Sequence, residues 1–259
     1  MGLLLSSDEP PAVEIRDGDG LFLIACEHAS NRIPRLLDNL GLPTGDVRRH
    51  IAWDPGAVEV AEGIADRLDG TLVLQRYSRL VVDCNRSLEL PDAFTAFSED
   101  TRIPGNVELG EAEKASRVAE VWAPFHDAID RIIERRIAAG LPTVFVTIHS
   151  FTPVYRGTPR PWDVGVIFDR DRRLADAVIG NLRQDTGLSV GVNQPYSPAD
   201  NVYFTVDRHA TPRGLPAVMI EIRNDLVAEQ PGQRYWAGKL ASILGGAEIN
   251  SEPATGAVA

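Results

Sequence analysis

The sequence predicts an α/β protein, a single domain built on a mostly parallel, twisted sheet flanked by helices. Three observations lead there. Short Val/Ile/Leu runs alternate with longer stretches of helical periodicity along most of the chain. The runs are continuously apolar, as in strands covered on both faces. A length of 259 residues with 44% hydrophobic content supplies one large core.

In chain order, residues 1–20 are polar, with Pro10, Pro11 and several acids, and read as a loosely attached N-terminal tail. The domain proper spans 21–244. Residues 245–259, rich in Gly, Ala and small polar types, read as a flexible C-terminal tail. Strands are expected at "LFLIA" (21–25), "TLVLQ" (71–75), "RLVVDC" (79–84), "TVFVTI" (143–148), "DVGVIF" (163–168) and "AVMIEI" (217–222). The first helix is expected to begin at Asp54, a good N-cap residue followed by Pro55 at the first helical position. Val58, Ala61, Ile64, Ala65 and Leu68 form its apolar stripe, and Gly70 is its stop. A longer helical stretch covers about 109–139, with Pro124 placed to kink it, and others cover about 172–187 and 232–244. The Pro/Gly/aromatic-rich loops 87–106 and 150–163 are long enough to wall a pocket.

A formal net charge of −11 opposes non-specific binding to nucleic acid or anionic lipid. No apolar run approaches the roughly 18 residues of a membrane span, and the N-terminus lacks a basic, then apolar, leader, so the expected location is the cytoplasm. Cys26 and Cys84 are accordingly expected as reduced thiols.

The informative pattern is where the polar residues fall. Four of the apolar runs finish in groups that do chemistry: His28 after "LFLIACE", Asn85 and Arg86 after "RLVVDC", His149 in "TVFVTIHS", Glu221 and Arg223 in "AVMIEIR". Carboxyl ends of parallel strands lie along one edge of an open α/β sheet, where ligand crevices form. Two strand-end imidazoles fit a catalytic zinc, which takes three protein ligands and keeps one position open. The third ligand is open between Asp54, Asn31 and Glu27. Asp54 has the right chemistry, Asn31 is a poor ligand as an amide, and Glu27 faces away from His28 unless the chain turns. Glu221 is the expected general base. Asn85 and Arg86, with Arg79, Arg156, Arg160 and Arg223, are candidates to hold an anionic substrate. His50 and His126 read as structural, and His209 in "DRHATPRG" as a weaker site candidate. Ser150 beside His149 lacks the strand-turn-helix elbow of a nucleophilic serine.

The stretches "CEHASNRIP", "AWDPGA", "YSRLVVDCNRS", "HSFTPVYRG", "RPWDVGV" and "IEIRNDL" together resemble the N-formylglutamate amidohydrolase family over roughly residues 20–230. Several also look like zinc carboxypeptidases and the related acyl-amino-acid deacylases. The resemblance implies a zinc-carboxypeptidase/phosphorylase-hydrolase-like fold and hydrolysis of N-formyl-L-glutamate to formate and L-glutamate, a late step of histidine breakdown. It implies metal ligands His28 and His149, substrate contacts Asn85 and Arg86, and a base at Glu221, with Zn2+ as cofactor and a small anionic N-acyl amino acid as substrate. Asn31 stands where the carboxypeptidase pattern has glutamate, and Asp54 is taken in its place. Deacylation of another N-acyl amino acid, or metal-free binding of a dicarboxylate, are the competing readings.

Overall fold

The structure, a computed structural model, describes residues 4–247. Its strands are β1 (Val13–Arg16), β2 (Phe22–Cys26), β3 (Thr71–Gln75), β4 (Phe97–Ser98), β5 (Thr101–Arg102), β6 (Val144–Phe151), β7 (Val154–Tyr155), β8 (Thr158–Pro159), β9 (Val164–Ile167), β10 (Val190–Val192) and β11 (Ala217–Arg223). Seven of them form one sheet in the order β1-β3-β2-β6-β11-β9-β10, and β4-β5 and β7-β8 are separate hairpins. The centre, β3-β2-β6-β11, is parallel; β9 runs antiparallel to β11 with β10 parallel to it, and β1 closes the other edge antiparallel to β3. The expected mostly parallel sheet is present. Five of the six expected strand runs are in it, and the central ones are buried throughout, as continuous apolar sequence demands.

The helices are α1 (Thr44–Val47), α2 (Ala57–Leu68), α3 (Glu111–Arg117), α4 (Ala123–Ala138), α5 (Arg173–Leu182), α6 (Phe204–His209) and α7 (Gln230–Gly245). Alternation along the strands divides the core into two layers. Phe22, Ile24 and Cys26 of β2 pack with α2, α5 and α7, whereas Leu23 and Ala25 pack with α4, α6 and the 80–84 segment. The stretch 109–139 is α3 and α4 joined by a π turn over Val118–Trp122, where the Ala123 N–H reaches back to Val118 O. That widened turn takes up the disruption Pro124 causes, since proline has no N–H to give and its ring crowds the carbonyl four residues back.

Three expectations are corrected. "RLVVDC" is not a strand. Leu80, Val81 and Val82 are buried, but their segment is a run of turns, and hydrophobicity alone does not separate a buried turn from a buried strand. Its backbone groups find partners elsewhere: Arg117 Nη1 donates to Val81 O, Asn106 Nδ2 to Leu80 O, and the Asp83 N–H to Ala93 O. Residues 1–20 are not a loose tail throughout. Val13–Arg16 pairs with Gln75–Leu72, Leu4 and Ala12 are buried, and the Leu4 and Leu5 N–H groups donate to the Glu120 carboxylate at 2.7 and 2.9 Å. A four-residue strand with two charged residues gave too weak a periodic signal to be read as an edge strand. Asp54, finally, does not cap α2. The helix starts from Gly56, at φ 80°, where a Cβ would run into the Val227 carbonyl, and Asp54 is free for other bonds. At the other end α7 stops at Gly245, and 248–259 of the expected C-terminal tail lie outside the described residues.

No helix among the described residues is long and apolar enough to cross a membrane. Cys26 and Cys84 are free and buried.

Candidate functional site

The parallel neighbours β2, β6 and β11 bring their carboxyl ends to one edge. Register places Glu221 of β11 beside His149 of β6, so both side chains leave the same face of the sheet. β2 ends at Cys26 and the chain turns at once, a turn fixed by the Asp54 N–H donating to His28 O at 3.0 Å. That turn delivers Glu27 and His28 to the same region and sets Asp54 between the two imidazoles.

Asp54 Oδ2 lies 3.2 Å from His28 Nδ1 and 2.8 Å from His149 Nδ1, and the rings are 5.0 Å apart between centroids. Each ring also has a carboxylate behind it. His28 Nε2 is 2.8 Å from Asp83 Oδ1, and His149 Nε2 is 3.1 Å from Glu27 Oε2, close but off the line of a hydrogen bond. Arg79 ties the carboxylates together, bonding Asp83 at 2.9 and 3.2 Å and Asp54 at 3.4 Å. Glu221 completes the group with Oε2 buried and unbonded.

The electrostatics follow from a count of charges. Glu27, Asp54, Asp83 and Glu221 are all buried, and Arg79 is the permanent cation bonded among them. Ionised carboxylates out of water need compensation, so the site has a deficit of positive charge. Burial acts to lower the proton affinity of His149, yet Glu27 and Asp54 hold it well above the usual imidazole range. Burial alone would raise Asp54 and Asp83; the imidazoles beside Asp54, and Arg79 with His28 beside Asp83, hold both below the usual carboxylate range. Glu221 goes the other way. Burial, reinforced by the Asp54 charge, pushes it up to about 7.

A divalent metal fits this donor set. His28, Asp54 and His149 each offer a ligand atom, and these atoms lie within 4.8 Å of one another. Donors on a tetrahedral zinc, at about 2.0–2.1 Å from the ion, sit roughly 3.3 Å apart, near the separations seen here between Asp54 and each ring. Imidazoles that turn one nitrogen to a common centre and the other to a carboxylate have the arrangement that orients metal-binding histidines. Of the three residues that the sequence left open, Asp54 is the one that stands with both imidazoles. Asn31 turns away, its Nδ2 donating to Val47 O at 3.0 Å, and Glu27 stands behind His149.

A cavity of about 570 Å3 opens over this centre. Arg79, Arg86, Arg156 and Arg160 line it, as do Asn85 and Glu221, but Arg223 does not. Two positions past Glu221, Arg223 pairs instead with Asp163 at 3.1 Å and Asp225 at 2.8 Å. Asn85 accepts from the Thr205 N–H and hydroxyl and donates to Val202 O, so most of its bonding fixes the 202–205 segment. Arg86 holds Asp92 at 2.8 Å through Nε. Ser150 gives its hydroxyl to Pro55 O. His126 and His209 bond each other on the α4/α6 side, away from the cavity. The sequence reading did not place Asp83 or Tyr196 in the site. Asp83 sits inside the quoted "VVDCNR", where an acid two residues before Asn85 was a usable signal; Tyr196, in the loop after β10, offered none.

The family model described as N-formylglutamate amidohydrolase matches residues 21–228. Among solved structures, gene product Atu2144 of Agrobacterium tumefaciens is similar at a TM-score of 0.92 and 46% sequence identity, covering 94% of this chain and 97% of that chain. The N-formylglutamate amidohydrolase of Ralstonia eutropha JMP134 shares the fold at a TM-score of 0.66 and 18% identity, covering 91% of this chain and 96% of that chain. No curated protein matches the chain.

Proposed function

The chain belongs to the N-formylglutamate amidohydrolase family, and from that premise we propose that it hydrolyses the amide bond of an N-acyl amino acid, N-formyl-L-glutamate in the first instance, as a zinc enzyme. The observation that supports this reading is the meeting of His28 Nδ1, His149 Nδ1 and Asp54 Oδ2 in a site short of positive charge, each imidazole backed by a further carboxylate. A zinc ion held by those three residues supplies Lewis acidity toward the scissile carbonyl and lowers the pKa of the attacking water.

The remaining steps belong to the chain's own side chains. Glu221, buried with Oε2 unbonded, accepts the proton of the attacking water at that oxygen as the new C–O bond forms. It returns the proton to the departing nitrogen as the C–N bond breaks, giving a carboxylic acid and a free amine. Arg86 is anchored through Nε to Asp92 and through Nη1 to Asn85 O, which leaves Nη2 to steady the oxyanion. Asp83 and Glu27 orient the two imidazoles, and Arg79, bonded to Asp83 and Asp54, helps keep Asp83 ionised.

The test is metal content by mass spectrometry on purified protein, together with formate release from N-formyl-L-glutamate before and after chelation. About one zinc per chain and zinc-restored turnover are expected. A protein that takes up no divalent metal, or one whose turnover survives complete chelation, overturns the proposal.

A further inference from the structure

We infer that the β7-β8 hairpin is the wall that reads the substrate's carboxylate, with Arg160 as its specificity-determining residue, and that the opposite wall receives an uncharged acyl group. This rests on the amidohydrolase reading above and adds an orientation for the substrate.

Four arginines line the cavity, and they differ in what neutralises them. Arg79 is closed onto Asp83 and Asp54, and Arg86 onto Asp92. Arg160 and Arg156 have no carboxylate within ion-pair distance among the described residues. Both belong to the β7-β8 hairpin, a tight two-residue turn over Arg156 and Gly157, both at positive φ, closed at its base by the Arg160 N–H donating to Pro153 O at 2.8 Å.

Arg160 is held without being neutralised. Its guanidinium carbon lies 4.6 Å from the Tyr155 ring centre, 4.7 Å from Tyr196 and 5.9 Å from Phe151, and Nη1 donates to Tyr196 Oη at 3.0 Å. Ring faces attract a cation and fix its plane but carry no net charge. Nε and Nη2 make no bond among the described residues, so one edge of the fork remains for a carboxylate, which it binds through two parallel hydrogen bonds. Arg156 stands at the hairpin tip and suits a second carboxylate nearer solvent.

The charged residues that line the cavity near the β4-β5 hairpin are paired with one another or with neighbours. Glu99 is paired with Arg49 at 2.9 Å and lies 3.4 Å from His50; Asp92 is paired with Arg86. Phe97 is exposed there. Among the residues that line the cavity, two unneutralised guanidiniums stand at β7-β8 and none near β4-β5, which gives the cavity a direction. An N-acyl acidic amino acid would enter with its carboxylates toward β7-β8 and its acyl group toward β4-β5, and an acyl group bearing its own carboxylate would meet no spare cation.

The experiment measures L-glutamate binding by calorimetry to zinc-supplemented protein, with kcat and KM for N-formyl-L-glutamate, in wild type, Arg160→Met, Arg160→Lys and Arg86→Met. Arg160→Met should raise Kd and KM on the order of 10- to 100-fold, the range for a charge-assisted pair, with kcat within a few-fold of wild type. Arg160→Lys should recover part of the loss, and Arg86→Met should lower kcat with Kd nearly unchanged. The anchor is overturned if wild type fails to bind L-glutamate, or if Arg160→Met and Arg160→Lys both bind it as wild type does. Should Arg160→Met not fold, the lysine variant alone decides, since the same Kd as wild type contradicts the two-pronged contact. Binding that depends on Arg160 in a protein releasing no formate keeps the anchor and removes the hydrolase reading; turnover indifferent to Arg160 does the reverse. N-succinyl-L-glutamate should be cleaved at least about tenfold less efficiently than N-acetyl-L-glutamate, and equal rates would overturn the assignment of the acyl wall.

Discussion

Two histidine pairs are buried in this molecule, and each has an aspartate. His28 and His149 meet at the carboxyl edge of the sheet around Asp54. His126 and His209 stack on the α4/α6 side, with His126 Nδ1 2.8 Å from His209 Nε2 and His209 Nδ1 2.9 Å from Asp130. Burial acts on both pairs, yet His149 moves the opposite way from His126 and His209. His149 is held well above the usual imidazole range by Glu27 and Asp54. Burial takes His126 well below it and His209 down to about 4, with Arg208 adding to the effect in both. In the second pair one ring's nitrogen is used up on the other ring; in the first, both Nδ1 atoms face a shared carboxylate oxygen. The number of carboxylates around the rings, more than the rings themselves, separates a centre ready for a cation from a neutral packing element.

The sharpest way to break this comparison is to remove one imidazole from each pair. His149→Ala or His28→Ala should abolish stoichiometric zinc binding and reduce turnover by about a thousandfold or more, whereas His126→Ala should keep its zinc and lose only stability; metal analysis beside thermal melts separates the two. Zinc retention in both members of the first set would remove the distinction. Glu221→Gln, which keeps size and loses the proton-carrying oxygen, should bind zinc as wild type does and lose about 10²- to 10⁴-fold in kcat. Asp83→Asn should weaken zinc binding about 10- to 100-fold, as loss of a carboxylate behind a metal-binding histidine does, measured by competition with a chromophoric chelator.

The smallest effect sharpens the other side. His209 has a folded proton affinity below that of the unfolded chain, so above about pH 6.5 its ring is neutral in both states and its burial carries no protonation penalty. As pH falls from about 6.5 to about 4, the unfolded chain gains a proton that the folded protein does not, and stability declines. The loss should reach on the order of 3 kcal/mol. Denaturant titrations of wild type and His209→Gln across that window should show a shallower decline in the variant; parallel declines would assign the effect elsewhere.

Which parts of this were legible in the sequence follows the same physics. His28, His149 and Glu221 were readable because each follows or ends a continuously apolar run, and such runs mark parallel strands whose carboxyl ends gather. Asp54 was readable by chemistry, although the same sequence, Asp before Pro at a helix start, also spells an N-cap; Gly56 takes that position instead. Glu27 was weighed only as an alternative third ligand, and Asp83 was not assigned. Glu27 reaches the site only because the chain turns immediately after Cys26, and Asp83 only because an apolar run coils where a strand was expected. Arg223 does not line the cavity: strand alternation could not show that Asp163 and Asp225 pair with its guanidinium. The short strands β1 and β10 lie below the length at which periodicity is informative.

The coiled segment that carries Asp83 has one more consequence. Its carbonyls are held by side chains from far along the chain: Arg117 on Val81, Trp122 on Arg86, and Thr205 on Cys84, with separations of 36, 36 and 121 residues. Contacts of that span form only after long loops have closed. The candidate metal corner is therefore completed late in the chain, and nascent chains that end before Thr205 should hold zinc more weakly than the full chain even though His28, Asp54 and His149 have already been synthesised. A bound ion would act as a latch on the finished molecule rather than as a seed for its assembly.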